Sequence, residues 1–571
     1  MSNTDRLRAI ADIAAGAPIL AGETEHEAES EADVVAPLRP PPGEAAEPDV
    51  LSWLAELEQN DTDNGKRLMT HFGEDLLHVR ESGWHVWTGR LWQRAGGDEA
   101  VTKFAQRTAK RIHLEADYLG LWPHEQQKVR QAEALLKKPE SELTEADKNL
   151  IDEAKDIREE LGARRAARRK FATSSGNDSR IKAMVAQALP HNTIPPEDLD
   201  ADGNLFNCNN VTLQFAKVED DRFAGSVPRY MLKVTPVKHS RSHMITRIAP
   251  VDYDPQAQCP RWNAALTRFQ PDPEIRKFLQ IYHGIALTND ISQQCFVFNW
   301  GGGANGKSTM MEALGELFGT YSDTLNAESI SGQGQRRGDQ ATPDFAGLGG
   351  VRYLRVAELP RGEPLREALI KMLTGGDKMK VRHLNKGFFD LASVFKAVMS
   401  GNDMPQISGV DLGIWRRTKL VPWKFIIPEE ERRPMKDILR EFGEERSGIL
   451  NWLLDGLDLY YREGLKTPAA VAAATDSYRS EMDPVGAFLS ACVNKEKGSS
   501  VTAREMYLAF YNYCEANSIR PWRETMFGRV MPQKGFERDM GRVRRYLDVA
   551  LHDVPQPPPK APRSPPPDDE A

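Results

Sequence analysis

The apolar residues in the middle of the chain follow strand and helix patterns in alternation. A buried-strand pattern runs over residues 295–300, and the helical spacing of apolar residues that follows, Met311 to Phe318, stops at Gly319. Two further apolar runs, 351–358 and 394–400, have the length of buried strands. Strands that alternate with helices in this way predict a parallel α/β sheet.

The sequence before residue 261 predicts a smaller α/β domain. Residues 83–92 have the pattern of two strands around a Thr-Gly turn, and their three tryptophans are interpreted as the core of a small sheet rather than as a base-stacking platform. A capping box at 144–147 predicts a charged helix that reaches about Leu161. Further on, a strand is predicted from Leu205 to Phe215. A basic cluster after the charged helix is equally compatible with phosphate contacts and with a solvated face: Arg164, Arg165, Arg168, Arg169 and Lys170.

The two ends of the chain differ in composition from the rest. Residues 1–50 hold 11 acidic and 3 basic residues, so the net charge of −8 belongs to this segment, and 72 residues of each sign remain in 51–571. We expect 1–50 to be a disordered acidic tail and 554–571 to be a Pro-rich tail. The neutral body does not exclude a nucleic-acid partner, provided that basic residues cluster locally.

Membrane and redox features are sparse. The sequence has no run of about 18 apolar residues, and its start does not have the pattern of a signal peptide. The five cysteines are far apart and include no C-x-x-C pair, which favours neither a zinc site nor a disulfide framework. We therefore expect a cytoplasmic protein with no membrane partner.

A glycine-rich motif stands between the predicted strand and helix. It satisfies G-x-x-x-x-G-K-[ST] and reads Gly301-Gly302-Gly303-Ala304-Asn305-Gly306-Lys307-Ser308. The backbone N–H groups of such a loop, together with the start of the helix at Thr309, surround phosphate oxygens. Lys307 reaches the β and γ phosphates, and the hydroxyl of Ser308 binds Mg²⁺. The motif predicts ATP and Mg²⁺ as ligands of residues 301–309.

Three polar elements follow this motif at defined spacings. Glu358 ends a predicted strand 51 residues after Lys307 and is the candidate base and a candidate Mg²⁺ ligand. Asn402 ends the next strand, 44 residues further, where its amide could contact the γ-phosphate and the attacking water. Arg416 and Arg417 follow 14 and 15 residues later and could stabilise the transferred phosphoryl group from a neighbouring subunit.

In this order and spacing the chain resembles the superfamily 3 helicases of the phage/plasmid and poxvirus-type primase-helicase family. Two upstream stretches, 205–213 and 253–262, are similar to the family segments that precede the loop, and 501–551 resembles its C-terminal winged-helix domain. The resemblance implies a multidomain α/β protein with a P-loop, AAA+-like ATPase core. Its domains would be an N-terminal α/β domain of the primase-helicase type (51–261), an ATPase domain with a preceding helical segment (262–465) and a winged helix (466–553).

The resemblance also implies how the protein works. It predicts a homo-oligomeric ring, hexameric in the family, that translocates 3′ to 5′ on single-stranded DNA and unwinds forked DNA. The setting would be the replication of a phage, plasmid or mobile element in a bacterial cytoplasm, with replication partners on the terminal domains. A DNA-remodelling or packaging ATPase and an ATP-switched origin-binding protein remain as alternatives.

Two departures from the family pattern limit this transfer. Ala357 precedes Glu358, so a second Mg²⁺-orienting acid is not assigned. Residues 1–50 are too few and too polar for a primase domain, so we expect a helicase without primer synthesis.

Two segments are candidate DNA contacts. The alternating run 378–382 places Lys378, Lys380 and Arg382 on one face of a strand. By resemblance to the family's B-prime hairpin, His383 and Lys386 would project into the ring channel and hold the DNA backbone.

The C-terminal segment 519–546 holds 8 basic and 3 acidic residues with aromatic residues between them. Its candidate phosphate contacts are Arg523, Arg529, Arg542, Arg544 and Arg545. A winged helix can also dock a protein partner, and the sequence leaves that alternative open.

Overall fold

The described part of the protein is a mixed α/β chain with five separate sheets. The computed structural model describes residues 47–220, 229–332, 342–356, 363–382, 387–407, 412–539 and 541–556. Both predicted tails lie almost entirely outside these ranges. Among the described helices, none combines the length and the apolar character needed to span a membrane.

The N-terminal region surrounds a small sheet with helices. The sheet has the order β3-β2-β1-β4 and consists of β1 (Leu76–Val79), β2 (Gly83–Trp87), β3 (Trp92–Gln93) and β4 (Thr193–Ile194). The helices around it are Glu47–Glu56, Asp61–Phe72, Gly97–Tyr118, Pro123–Leu135, Glu145–Ser175 and Asp178–Ala188. Trp84 and Trp92 are only 5% and 4% exposed, and the indole of Trp92 donates to the carbonyl of Arg241. The interpretation of these tryptophans as a sheet core is confirmed.

The charged helix begins as the capping box predicts but continues further. Thr144 and Asp147 cap each other's backbone N–H groups at its start. The helix does not end near Leu161, because the following run of alanines and arginines has high helix propensity and continues it to Ser175.

This extension changes the meaning of the basic cluster. Arg164 pairs with Glu125 at 2.8 Å, Arg169 pairs with Asp117 at 2.6 Å, and Arg165 donates to the carbonyl of Leu119. Arg168 and Arg67 share the carboxylate of Glu115, and all three side chains are buried. These arginines therefore connect helices, and the structure favours this role over phosphate contacts.

A second sheet packs on the central part of the chain. Its antiparallel strands, in the order β5-β6-β7, are β5 (Leu205–Asn207), β6 (Thr212–Glu219) and β7 (Tyr230–Val237). The single strand expected over 205–215 is thus two strands, since the N–H of Cys208 donates to the carbonyl of Val211 and closes a turn. Phe206 and Leu213 share one hydrophobic cluster with Trp262 and with residues of the central sheet. The core is therefore continuous across the expected boundary at residue 261.

The central sheet has five parallel strands in the order β14-β8-β13-β10-β9. These strands are β8 (Phe296–Trp300), β9 (Ser322–Leu325), β10 (Tyr353–Val356), β13 (Lys396–Gly401) and β14 (Thr418–Pro422). The longer helices of this region are Pro260–Phe269, Pro273–Ile285, Lys307–Phe318, Glu367–Gly375, Met435–Glu444, Arg446–Glu463 and Ala469–Glu481, and the shorter ones are Ala327–Ile330, Pro343–Ala346 and Leu412–Trp415. Behind the sheet, His283 is fully buried, and burial lowers its pKa to about 3. The predicted parallel sheet is confirmed.

A two-stranded hairpin projects from the central region. Its strands β11 (Lys378–Val381) and β12 (Phe389–Ala392) are antiparallel. The C-terminal region has its own hydrophobic cluster, which starts at Val485. It contains the helices Pro484–Cys492, Ala503–Ala516 and Glu524–Val530 and the antiparallel strands β15 (Val493–Thr502) and β16 (Arg545–Leu551).

Candidate nucleotide-binding site

The glycine-rich loop follows β8 and leads directly into the helix Lys307–Phe318. Gly303, Ala304 and Gly306 have φ angles of +79°, +47° and +81°, so the backbone curls in the left-handed region that glycine adopts without strain. A Cβ on Gly306 would lie 2.3 Å from the ring of Phe269, so this position has no room for a side chain. Successive N–H groups in such a turn, at the start of a helix, form a concave anion site.

Lys307 and Asn402 meet at the edge of the sheet. The Nζ of Lys307 donates to the carbonyl of Gly301 at 2.9 Å and to Oδ1 of Asn402 at 3.0 Å. Because β13 pairs with β8 in parallel, with Gly401 opposite Trp300, the end of one strand lies beside the loop that follows the other. The lysine side chain is 6% exposed. The expectation that Asn402 lies near the predicted phosphate site agrees with this geometry.

The candidate base falls outside the described residues. β10 is the next strand and ends at Val356, which pairs with Met399 of β13. Glu358 and Ala357 come directly after it and are not among the described residues. The described end of β10 therefore leads toward the same edge of the sheet as Lys307.

The start of the helix offers a hydroxyl for a metal ion. Ser308 is exposed, whereas Thr309 is buried against the core. An exposed serine directly after the loop lysine is compatible with a hydroxyl ligand for Mg²⁺. Within the described ranges there is no group of three or more His, Cys, Asp or Glu side chains that could hold a metal ion.

A cavity of about 540 Å³ lies next to the loop. Its volume is in the range of small-molecule sites. Ala304, Gly306 and Thr309 form one wall. The other wall includes Phe269, Ile427 and Phe442. These residues come from segments more than 100 residues apart and carry no motif, so sequence reasoning missed them.

The two candidate arginine fingers differ in exposure. Arg417 is 8% exposed and donates to the carbonyl of Gly413 at 2.9 Å, and burial is the main cause that lowers its pKa, with repulsion from Arg416 second. Arg416 is exposed and donates to Oε1 of Gln294 at 3.2 Å. Only Arg416 can therefore approach another molecule without rearrangement.

Both arginines lie at the opposite edge of the sheet from the glycine-rich loop. The N–H of Phe296, the first residue of β8, donates to the carbonyl of Arg417. The loop begins after Trp300, the last residue of the same strand. A five-residue strand spans about 13 Å. The backbone of both arginines thus lies about one strand length from the start of the loop.

The hairpin has one basic face. Lys378 and Lys380 are exposed, Arg382 is partly exposed, and the intervening Met379 and Val381 are buried. This alternation is confirmed. Lys380 forms an exposed ion pair with Asp390 at 3.2 Å.

The turn of the hairpin is only partly described. His383 and Lys386 lie outside the described residues. Directly after them, the N–H of Gly387 donates to the carboxylate of Glu81 at 2.8 Å. Glu81 belongs to the turn between β1 and β2, so the hairpin contacts the N-terminal region.

The C-terminal candidates Arg542 and Arg544 are exposed and lie between the isolated bridge at Arg538 and strand β16. Arg538 donates to the carbonyl of Gly528 at 2.8 Å and holds this segment beside the helix Glu524–Val530. The segment that carries these two arginines therefore belongs to the C-terminal region. This region has its own hydrophobic cluster and is far from the hairpin in sequence.

Comparison with known proteins gives two family matches and several viral relatives. The model described as "D5 N terminal like" matches residues 65–271, and the model described as "Poxvirus D5 protein-like" matches residues 480–543. A candidate helicase of Acanthamoeba polyphaga mimivirus is 28% identical over 277 residues, which cover 44% of this chain and 28% of that protein. A candidate helicase of Frog virus 3 is 24% identical over 302 residues, which cover 49% and 29%. This chain thus spans less than a third of these relatives' length.

Solved structures are also similar to this chain. The apo structure of the NrS-1 C terminal region covers 59% of this chain and 96% of that chain, with 12% identity and a TM-score of 0.35. A likeness at this TM-score is too weak to support a statement about the fold.

The relatives come from large DNA viruses of eukaryotes, so the expected bacterial host has no support from them. The two D5 models match on either side of the glycine-rich loop, in the order that the sequence resemblance predicts. By these matches the chain is similar to D5-type proteins in two regions, 65–271 and 480–543, and its viral relatives are named as helicases.

Proposed function

We propose that this chain is the ATP-hydrolysing subunit of a ring-shaped helicase that unwinds DNA during replication. The observation that carries the proposal is the contact between Lys307 and Asn402 beside a left-handed glycine loop, at the edge where parallel strands end. The viral relatives named as helicases support the replicative setting.

ATP binds with its phosphates in the loop 301–306 and its nucleoside in the adjacent 540 Å³ cavity. Lys307, whose ammonium now contacts the carbonyl of Gly301 and the amide of Asn402, turns to the β and γ phosphates. The hydroxyl of Ser308 would hold Mg²⁺, and the ion would supply positive charge against the phosphates. The apolar side chains of the cavity wall, Phe269, Ile427 and Phe442, contact the base, and the neighbouring loop fixes the triphosphate.

Hydrolysis needs a base, a polar side chain that orients the attacking water, and a positive charge beside the transferred phosphoryl group. Glu358 accepts the proton of the attacking water, and Asn402 orients that water against the γ-phosphate. Arg416 of the adjacent subunit stabilises the developing charge, because within one subunit it lies at the far edge of the sheet. A site completed by a neighbour requires an oligomer, and a closed ring gives every site a neighbour.

DNA is held by the hairpin 378–392. Lys380 and Arg382 contribute positive charge on its exposed face, and His383 and Lys386 contact phosphates at its turn. Movement of the hairpin during the ATP cycle then pulls one strand through the ring.

The test compares hydrolysis with strand displacement. We expect Lys307→Ala to abolish both. We expect His383→Ala combined with Lys386→Ala to keep most DNA-free ATP turnover while losing unwinding of a forked duplex, since the turn does not belong to the nucleotide site. Unwinding at the wild-type rate by the double variant would overturn the role of the hairpin. ATP turnover without any strand displacement in the wild type would instead favour a DNA-remodelling ATPase, and absence of turnover would favour an ATP-switched binding protein.

A further inference from the structure

The C-terminal region exposes arginines that have no protein partner among the described residues. Arg523, Arg529, Arg542 and Arg544 are exposed, and their guanidinium groups form neither an ion pair nor a hydrogen bond within the described ranges. Arg164, Arg168 and Arg169 of the N-terminal helices, by contrast, are paired with carboxylates. Unpaired guanidinium groups concentrated in one small unit are typical of a surface that binds phosphate.

A pocket of about 340 Å³ lies between two of these arginines. Its lining consists of Trp522, Arg523, Thr525, Met526 and Arg529. Trp522 is half-buried, and its carbonyl accepts a hydrogen bond from the hydroxyl of Tyr507 at 3.1 Å, which fixes the backbone beneath the indole. The indole of Trp522 forms no contact with another aromatic ring and no hydrogen bond among the described residues.

This tryptophan differs from those of the N-terminal sheet. Trp84 and Trp92 are almost fully buried and serve as core residues. Trp522 instead presents a partly open aromatic surface beside two cations. An aromatic face flanked by unpaired arginines matches the chemistry of a single-stranded nucleic acid, in which bases stack on aromatic rings and phosphates bind cations.

We propose that this pocket binds one unstacked base of single-stranded DNA on the indole of Trp522, with the neighbouring phosphates on Arg523 and Arg529. Base pairs of a duplex keep their faces stacked, so only a single strand can offer a base to the ring. Arg542 and Arg544 extend the positive track on the adjoining segment, which Arg538 holds beside the helix Glu524–Val530. The site does not need ATP and goes beyond the proposed helicase motor.

The experiment measures binding of a fluorescent oligo(dT) to the full chain by anisotropy, without nucleotide and at several salt concentrations. Trp522→Ala should raise the Kd roughly tenfold at unchanged salt dependence, because it removes stacking and no charge. Trp522→Phe should restore most of the affinity. Arg523→Ala with Arg529→Ala should raise the Kd by a similar factor and reduce the slope of log K against log salt by about 1.4, since each lost phosphate contact on a single strand contributes about 0.7.

The matched control removes two exposed arginines that have carboxylate partners, Arg158 and Arg169. Their joint replacement by alanine changes the net charge equally and should leave the Kd within about twofold. A second readout locates the base: an oligonucleotide with 5-iodouracil should crosslink on irradiation to the peptide that contains Trp522.

Unchanged affinity in the Trp522→Ala chain, or crosslinks confined to other peptides, would overturn the proposal. An equal loss of DNA affinity in the variant that lacks Arg158 and Arg169 would also overturn it, because the loss would then come from the change in net charge. If the pocket variants keep full DNA affinity but lose binding to a replication protein, the surface is a protein-docking site instead. None of these outcomes depends on ATP hydrolysis, so failure of this binding site can be distinguished from failure of the proposed helicase function.

Discussion

Replacing Arg416 by alanine should abolish ATP turnover while leaving the fold intact. The side chain is exposed, and its described contact is one hydrogen bond to Gln294. Surface changes of this kind alter the free energy of unfolding by at most about 0.5 kcal/mol. An arginine finger, however, contributes about 10³-fold to 10⁵-fold to phosphoryl transfer. At 1.36 kcal/mol per tenfold, the loss raises the activation barrier by roughly 4–7 kcal/mol.

Arg417 provides the matched comparison. It is 8% exposed, and its guanidinium donates to the carbonyl of Gly413 and to Gln294. Removing it loses two hydrogen bonds donated by a buried charged group, so Arg417→Ala should lower the free energy of unfolding by about 1–3 kcal/mol. Its turnover, measured where the variant is still folded, should fall much less than that of Arg416→Ala.

The assay combines steady-state phosphate release with thermal unfolding. Mixing inactive Lys307→Ala subunits with inactive Arg416→Ala subunits should restore some turnover, because one interface in the mixture unites an intact loop with an intact finger. Near wild-type turnover in Arg416→Ala alone would refute the reasoning. So would mixed oligomers that form but recover nothing, since the arginine would then act within its own subunit.

Three further predictions test other parts of the structure. Gly306→Ala should abolish binding of a fluorescent ATP analogue, because φ is +81° and the new Cβ would lie 2.3 Å from the ring of Phe269; retained affinity would contradict the loop geometry. His283→Phe should make the free energy of unfolding less sensitive to acid. Burial lowers the pKa of His283 from 6.5 to about 3, so the unfolded chain binds a proton at this residue before the folded chain does. The folded wild type therefore loses stability as the pH falls below 6.5. Urea unfolding should show the wild type losing roughly 2–3 kcal/mol more than the variant between pH 7.5 and 4.5; equal losses would argue against the buried neutral imidazole. Glu115→Ala should cost about 3–5 kcal/mol, because it leaves two buried guanidinium groups unpaired, whereas Glu153→Ala at an exposed pair should cost less than about 1 kcal/mol; similar costs in calorimetry would contradict the burial argument.

Local patterns predicted the elements that depend on local sequence. The path from β8 through the loop to the helix follows from an apolar run, glycines and helical spacing, and the structure has it in the same place. The basic face of β11 follows from strict alternation. The spacing of motifs predicted that Asn402 follows a strand beside the loop, and the structure places its side chain against Lys307.

Features that depend on tertiary packing could not be predicted in this way. The wall of the cavity joins Phe269 to Ile427, which only the folded chain brings together. The sequence does not distinguish the adjacent arginines Arg416 and Arg417. They differ in exposure because their side chains point in different directions at the end of a helical turn. The break between β5 and β6 replaced an expected continuous strand, because a turn hydrogen bond at Cys208 satisfies the backbone there.

The continuous core across residue 261 determines where the chain can be cut. Phe206 and Leu213 are 0% exposed and pack in the same cluster as Trp262, and Arg352, directly before β10, donates to the carbonyl of Leu205 at 2.7 Å. A fragment that begins at residue 262 would expose apolar surface beside the central sheet and would remove the Leu205 carbonyl from the buried guanidinium of Arg352, which would keep the carbonyl of Leu287, and it should aggregate. We therefore expect limited proteolysis to leave a resistant fragment that begins before Leu205, roughly 60 residues earlier than the expected boundary at residue 261.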